Sequence, residues 1–402
     1  ENAFMEAEIG SDGTVMVEGH AVGELQGFRF TIDTSAEGQD GKAVRAASQK
    51  ALAGEFEKRA ERFANAPNGD FALGSDGLIR WLGDPVAVLA GSDDPLKPRV
   101  VLLADDQLTG PARDKVVARI ERFIAYQITT LLKPLVELKD GEGLEGAAKG
   151  IAFQLYENFG LLQRREVSET VRGLDQQSRA ALRRLGVRFG AYHIFVPALI
   201  KPAPAGLVTL LFAVHKDAKD RPGYGEVPGL LATGRTSAVA DTSFDPVFYG
   251  LAGYRLLGRR AVRIDILERL ADLIRPALSW KPGEGMRPEG GYNGGQFLVT
   301  PPMMSILGAT AEDMEEILKG LGYRAEPKDL TSVEAEIARY DAEAQAKIEA
   351  DRAAALAAAA EKAAAAQGEA ESAASAETDA APSVETAGES PSDETSTAEV
   401  GG

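Results

Sequence analysis

Arginines set the chemical character of the centre of this chain. Arg179, Arg183 and Arg184 fall about one helical turn apart, and Arg188 follows beyond Gly186. Phe189, Tyr192, His193 and Phe195 come next, in the stretch GVRFGAYHIFVPALIKP. A second group, Arg255, Arg259, Arg260 and Arg263, lies in YRLLGRRAVR, and LATGRTS places Arg235 beside hydroxyl side chains. Guanidinium groups with hydroxyl and backbone donors are what phosphate oxygens require. Phe189 and Tyr192 are of the type that stacks on single-stranded bases. The spacing therefore makes Arg179, Arg183, Arg184, Arg188, Tyr192, His193, Arg235, Arg259, Arg260 and Arg263 the candidate nucleic-acid contacts. The competing reading is that Arg263 with Asp265, and Glu268, Arg269, Asp272 and Arg275 among themselves, pair across helix faces.

Catalytic chemistry finds less support. A catalytic His193 would need a nucleophile and an orienting acid at defined geometry, and the sequence marks neither. A histidine hydrogen-bonded at the edge of a helical core is the plainer expectation. Glu268 and Asp272, four apart, share a helix face and could hold a metal or exchange protons. With Arg269 and Arg275 beside them they read as a solvated ion-pair face. There is no cysteine, which excludes disulfides, zinc–thiolate sites and thiol nucleophiles. His20, His193 and His215 are too scattered for a histidine metal motif. GEGLEGAAKG lacks the adjacent Gly-Lys of a phosphate-binding loop, and no G-x-S-x-G elbow or DExH box is present. No catalytic, cofactor-binding or metal-binding residue is assigned.

These side chains sit in a chain of 402 residues, 44% hydrophobic and 26% charged, enough for two or three domains. The net charge of −17 is unevenly spread. Most of the acidic excess follows Thr331, whereas Leu161–Gly290 holds more basic than acidic residues. A polyanion would meet that basic centre. No apolar run is long enough for a membrane span, and the acidic N-terminus has no signal-peptide pattern. The chain opens at Glu1 without a methionine, which reads as a processed chain or a fragment.

The elements that must position the arginines fall into four parts, an α+β class. Residues 1–109 read as a β-hairpin-rich domain with one helix, from the alternation in TVMVEG and GFRFTID and the helical run AVRAASQKALAGEFEKRAERFANA. Gly83, Asp84 and Pro85 are expected to turn a hairpin. Residues 110–330 read as an α-helical domain with the basic centre. Thr109 is its expected first N-cap, Thr310 with Asp313 caps a later helix, and FLVT is a short strand. Residues 331–367 form an Ala/Glu-rich helix, solvated or partly docked, with only a weak case for a coiled coil. Residues 368–402, without aromatics, are expected to be disordered.

Long ordered stretches carry a family likeness. GVRFGAYHIFVPALIKPAP, RAVRIDILERLADLIRPALSW and FLVTPPMMSILGATAEDMEEILKGLGYR resemble the C-terminal region of alphaproteobacterial superfamily-two, DExH-type helicases similar to the RNA helicase of the mitochondrial degradosome. GTVMVEGHAVGELQGFRF, LLKPLVEL, GIAFQLYENFGLL and LDQQSRAALRRLGVRFGAYH extend the likeness over most of residues 10–325. The resemblance implies an ATP-binding, hydrolysing motor of two RecA-like domains upstream, using ATP and Mg²⁺ that this chain itself does not bind. No catalytic residue of the family has a matching position here. The implied partners are single-stranded RNA or DNA, the RecA-like motor of the same polypeptide and a nuclease, in the cytoplasm and away from membranes. The alternative is a protein-interaction scaffold that docks a nuclease or a ribosome-associated partner. An independent hydrolase would need a pocket that gathers His193 with carboxylates.

Overall fold

The computed structural model describes residues 5–33 and 41–377. Two antiparallel meanders open the chain. The first is β1 (Ala7–Ile9), β2 (Thr14–Val17), β3 (His20–Gln26) and β4 (Arg29–Ile32), in sequence order. Helix α1 (Gly41–Ala64) leads to the second, β5 (Phe71–Leu73), β6 (Leu78–Trp81), β7 (Asp84–Ala90) and β8 (Arg99–Leu102). Alternation in β2 sends Val15 and Val17 inward and leaves Met16 exposed, as a half-buried strand requires. Phe28 is the pivot between the layers. Its ring lies 5.4 Å from Phe63 of α1 and 6.2 Å from Trp81 of β6.

From Gly110 the chain turns helical: α2 (Gly110–Leu131), α3 (Lys133–Asp140), α4 (Gly146–Glu157), α5 (Ser168–Arg172) and α6 (Gln176–Arg184). Thr109 occupies the N-cap position of α2, but its side chain makes no capping hydrogen bond. The apolar face of α2, with Val116, Ile120, Phe123 and Ile124, closes over the meanders. One hydrophobic core thus runs from Val15 to Val214, across the compositional change at Gly110. Arg119 of α2 is buried in it. Its guanidinium donates to the carbonyl of Ala66 and to Asn68 Oδ1 and covers the Phe71 ring at 4.6 Å.

The region expected to be helical apart from FLVT contains two further sheets. Strands β9 (Leu161–Gln163), β10 (Arg188–Phe189) and β11 (His193–Phe195) form one, with β11 central. After α7 (Pro202–Lys216) come β12 (Ser237–Val239), α8 (Pro246–Leu251), β13 (Tyr254–Leu257) and β14 (Arg260–Arg263), with β14 central in the second sheet. Both arginine groups therefore lie partly on strands. These strands have two to four residues, too short for alternation to stand out from helical spacing. Helices α9 (Ile264–Ser279), α10 (Pro301–Leu307) and α11 (Ala311–Gly320) follow. FLVT is not a strand; only an isolated bridge joins Gly291 and Phe297. Thr310 and Asp313 form the expected capping box of α11, and Gly322 with φ of 103° follows its end.

The last element is α12 (Leu330–Glu377). It continues ten residues past the expected boundary, so residues 368–377 are helical rather than disordered; residues 378–402 lie outside the described residues. Only its first part is docked. Val333 and Ala344 are buried, Tyr340 packs at 5.8 Å on Trp280, and Asp341 pairs with Arg287 at 3.2 Å. Among the described residues no helix is long and apolar enough to cross a membrane.

Candidate nucleic-acid interface

Asp175 starts α6 by accepting the Ser178 N–H at 2.7 Å. That start places Arg179 and Arg183, four apart, on one helix face. Both guanidiniums stand over the Phe189 ring, at 5.9 and 5.5 Å from its centroid. Phe189 belongs to β10, an edge strand, and its neighbour Arg188 points to the other face of the sheet, over Phe195 at 5.8 Å. Three guanidiniums thus bracket a single strand edge. Arg179 also donates to the carbonyl of Val171 at 2.8 Å. Arg184, at the end of α6, is exposed. Among the described residues no carboxylate comes within ion-pair distance of Arg179, Arg183, Arg184 or Arg188.

The second group is different. Arg259 pairs with Asp313 at 2.6 Å. Arg260 reaches the same carboxylate at 3.7 Å and donates to Ser237 Oγ at 2.7 Å. Arg263 pairs with Asp265 at 2.6 Å. The Arg259 guanidinium, helped by Thr310, pulls Asp313 down to about 2 against the opposing effect of burial. These three arginines are consumed in fastening the β13–β14 hairpin to α11 and to the start of α9. Asp313 and Asp265 answer their charge, although the Arg259 side chain stays 58% exposed. Arg235 is exposed on the loop before β12, in the other sheet from the Phe189 patch.

Tyr192 and His193 are also drawn inward. The Tyr192 hydroxyl meets that of Tyr323 at 2.6 Å, and burial, then Tyr323, pushes its pKa upward. Its half-buried ring meets those of His193 and Tyr323 in T-shaped contacts, with centroids 6.4 Å away in each case. His193 is 1% exposed. Its Nδ1 lies 3.0 Å from Glu268 Oε1, and its Nε2 lies 3.2 Å from Arg255 Nη1. Arginine can only donate, so Nε2 accepts and the ring proton sits on Nδ1, facing the carboxylate. His193 is a hydrogen-bonded core histidine, as the plainer reading had it, but on a strand.

Glu268 overturns the solvated ion-pair reading. It is 2% exposed, and the loop before β11 wraps it with backbone donors. Ala191 N–H reaches Oε2 at 2.5 Å, and Tyr192 and His193 N–H reach Oε1 at 3.0 and 2.9 Å. Burial opposes its charge, but His193 and these N–H groups outweigh it and hold the carboxyl below the usual range. Gly190 makes the approach possible: a Cβ there would meet Glu268 Cδ at 2.3 Å. Asp272, one turn on, pairs instead with Arg275 at 3.1 Å. The signal for Glu268 was present in the sequence. It falls four after Ile264 and three before Ala271, on the buried stripe of α9.

Comparison with family models, with curated proteins and with solved structures returned no match. No group of three or more His, Asp or Glu residues placed to hold a metal occurs among the described residues.

Proposed function

We propose that this chain is the accessory, strand-guiding region of an ATP-dependent helicase, acting on single-stranded nucleic acid, RNA in the first instance. The observation that carries the reading is the trio Arg179, Arg183 and Arg188, gathered around the β10 edge with no carboxylate partner among the described residues. Guanidiniums held near aromatic rings are partly placed before they meet phosphates, and arginine can also stack on a base. Such contacts bind a sugar–phosphate chain with little regard to sequence. The likeness of GVRFGAYHIFVPALIKPAP and its companion stretches to helicase C-terminal regions supports the same reading. ATP and Mg²⁺ belong, in this reading, to RecA-like domains of the same polypeptide, and the setting is cytoplasmic.

The test is fluorescence anisotropy of the full chain with a labelled single-stranded 20-mer, RNA and DNA, across a salt series. Arg183→Ala with Arg188→Ala is expected to weaken binding on the order of tenfold at low salt and to flatten the log–log salt slope by roughly two. Unchanged affinity and slope in the double variant would remove the patch from the interface.

A further inference from the structure

A cavity of about 480 Å³ opens between the edge of β9 and the edge of β13. Its polar wall combines Gln163, Arg165, His193, Tyr254 and Arg255, and its apolar wall includes Tyr249 and Leu257. The size falls within the range of small-molecule pockets.

The cations supply the rest of the description. Arg165 reaches no carboxylate within ion-pair distance among the described residues. Arg255 spends one nitrogen on His193 Nε2 and another on the carbonyl of Gly320 at 3.3 Å. Burial, then the neighbouring Arg165, lower the pKa of Arg255, while Glu166 and Glu268 oppose them. Glu268 is saturated by His193 and three backbone N–H groups, so it does not answer Arg165. Two guanidiniums arriving from different elements suit a tetrahedral oxyanion better than a carboxylate, whose two oxygens one arginine fork already fills. No serine, threonine or lysine lines the cavity, and His193 Nε2 is occupied, so the arrangement binds rather than reacts.

We propose that this cavity is a binding site for a phosphate monoester, with the phosphate on Arg165 and Arg255. The ester is either a free mononucleotide or the phosphorylated end of a strand. The proposal stands apart from the strand-guiding patch, which uses other arginines.

Calorimetric titration of the full chain with AMP, adenosine, inorganic phosphate, and a decamer bearing a 5′-phosphate or a 5′-hydroxyl tests it. Saturable AMP binding at least tenfold tighter than adenosine, or the same preference for the phosphorylated decamer, is expected. The first result names a free nucleotide and the second a strand end. Arg165→Ala, an exposed side chain whose loss spares the fold, is expected to weaken that binding at least tenfold, whereas Arg113→Ala, an exposed control of equal charge on α2, leaves it intact. Equal binding of AMP and adenosine, no saturable binding by any phosphate ester, or full binding by Arg165→Ala would overturn it.

Discussion

At the residue scale, Glu268 holds the junction of two sheets. One carboxylate satisfies three backbone N–H groups and fixes the His193 ring, which in turn receives Arg255 from β13. Glu268→Ala would leave those donors buried and empty, a loss of about 3–5 kcal/mol by the measure of broken buried pairs. Urea unfolding at neutral pH reads it directly. Glu268→Gln should recover only part, because its amide nitrogen turns one acceptor into a donor facing an N–H. The acid response follows from the same groups. Glu268 and Asp313 both have carboxyls held below their ordinary values, Asp313 at about 2. Groups of this kind stabilise the folded chain fully above the unfolded values of 4.5 and 3.8 and lose that contribution as pH falls through the folded ones. The urea midpoint is therefore expected to drop between about pH 4 and pH 2, and Arg259→Ala should shrink that drop. The sequence announced the arginines plainly, because their charge and clustering need no fold to be seen. It hid which of them are neutralised, since Asp313 lies more than fifty residues from Arg259, and proximity of that kind is a property of the folded chain.

At the scale of elements, the turns were easier to foresee than the strands. Thr310 with Asp313 is a local pattern and capped α11 as its spacing requires. The β6–β7 hairpin also formed, but its turn is Leu82–Gly83, with φ of 50° and 90°, and Asp84 and Pro85 already belong to β7. Positive φ at both central positions is the twist-matched hairpin turn that favours Asn-Gly. Leu82 is a poor occupant: its side chain is 67% exposed, so it packs little to offset its backbone strain. Leu82→Asn is expected to stabilise the protein by about 1 kcal/mol, seen as a rise in melting temperature. Strands β9 to β14 escaped notice for the opposite reason. Their pairing is settled by partners far along the chain, such as His193 with Gln163, and not by any period within them.

At the scale of the whole molecule, compositional boundaries and packing boundaries part company. The break at Thr331 was visible because alanine and glutamate replace large apolar residues there. The break at Gly110 marks a change of secondary structure but not of core, since Val15 and Val214 belong to one cluster. Truncation reads the difference. Ending the chain at Ile348 removes no buried residue of α12 and should leave the melting temperature unchanged. Ending it at Asp329 strips the cover from Trp280, the partner of Arg287 and the Glu336 acceptor of Tyr292, and should lower it by several degrees.

Every residue of α12 from Glu349 to Glu377 is exposed, and at 1.5 Å per residue that is roughly 40 Å of rod standing in water. Such a rod adds drag far out of proportion to its mass. The chain is expected to elute early from a sizing column and to sediment slowly, and a monomer would pass for a dimer on the column alone. Light scattering, which weighs particles without regard to outline, separates the two.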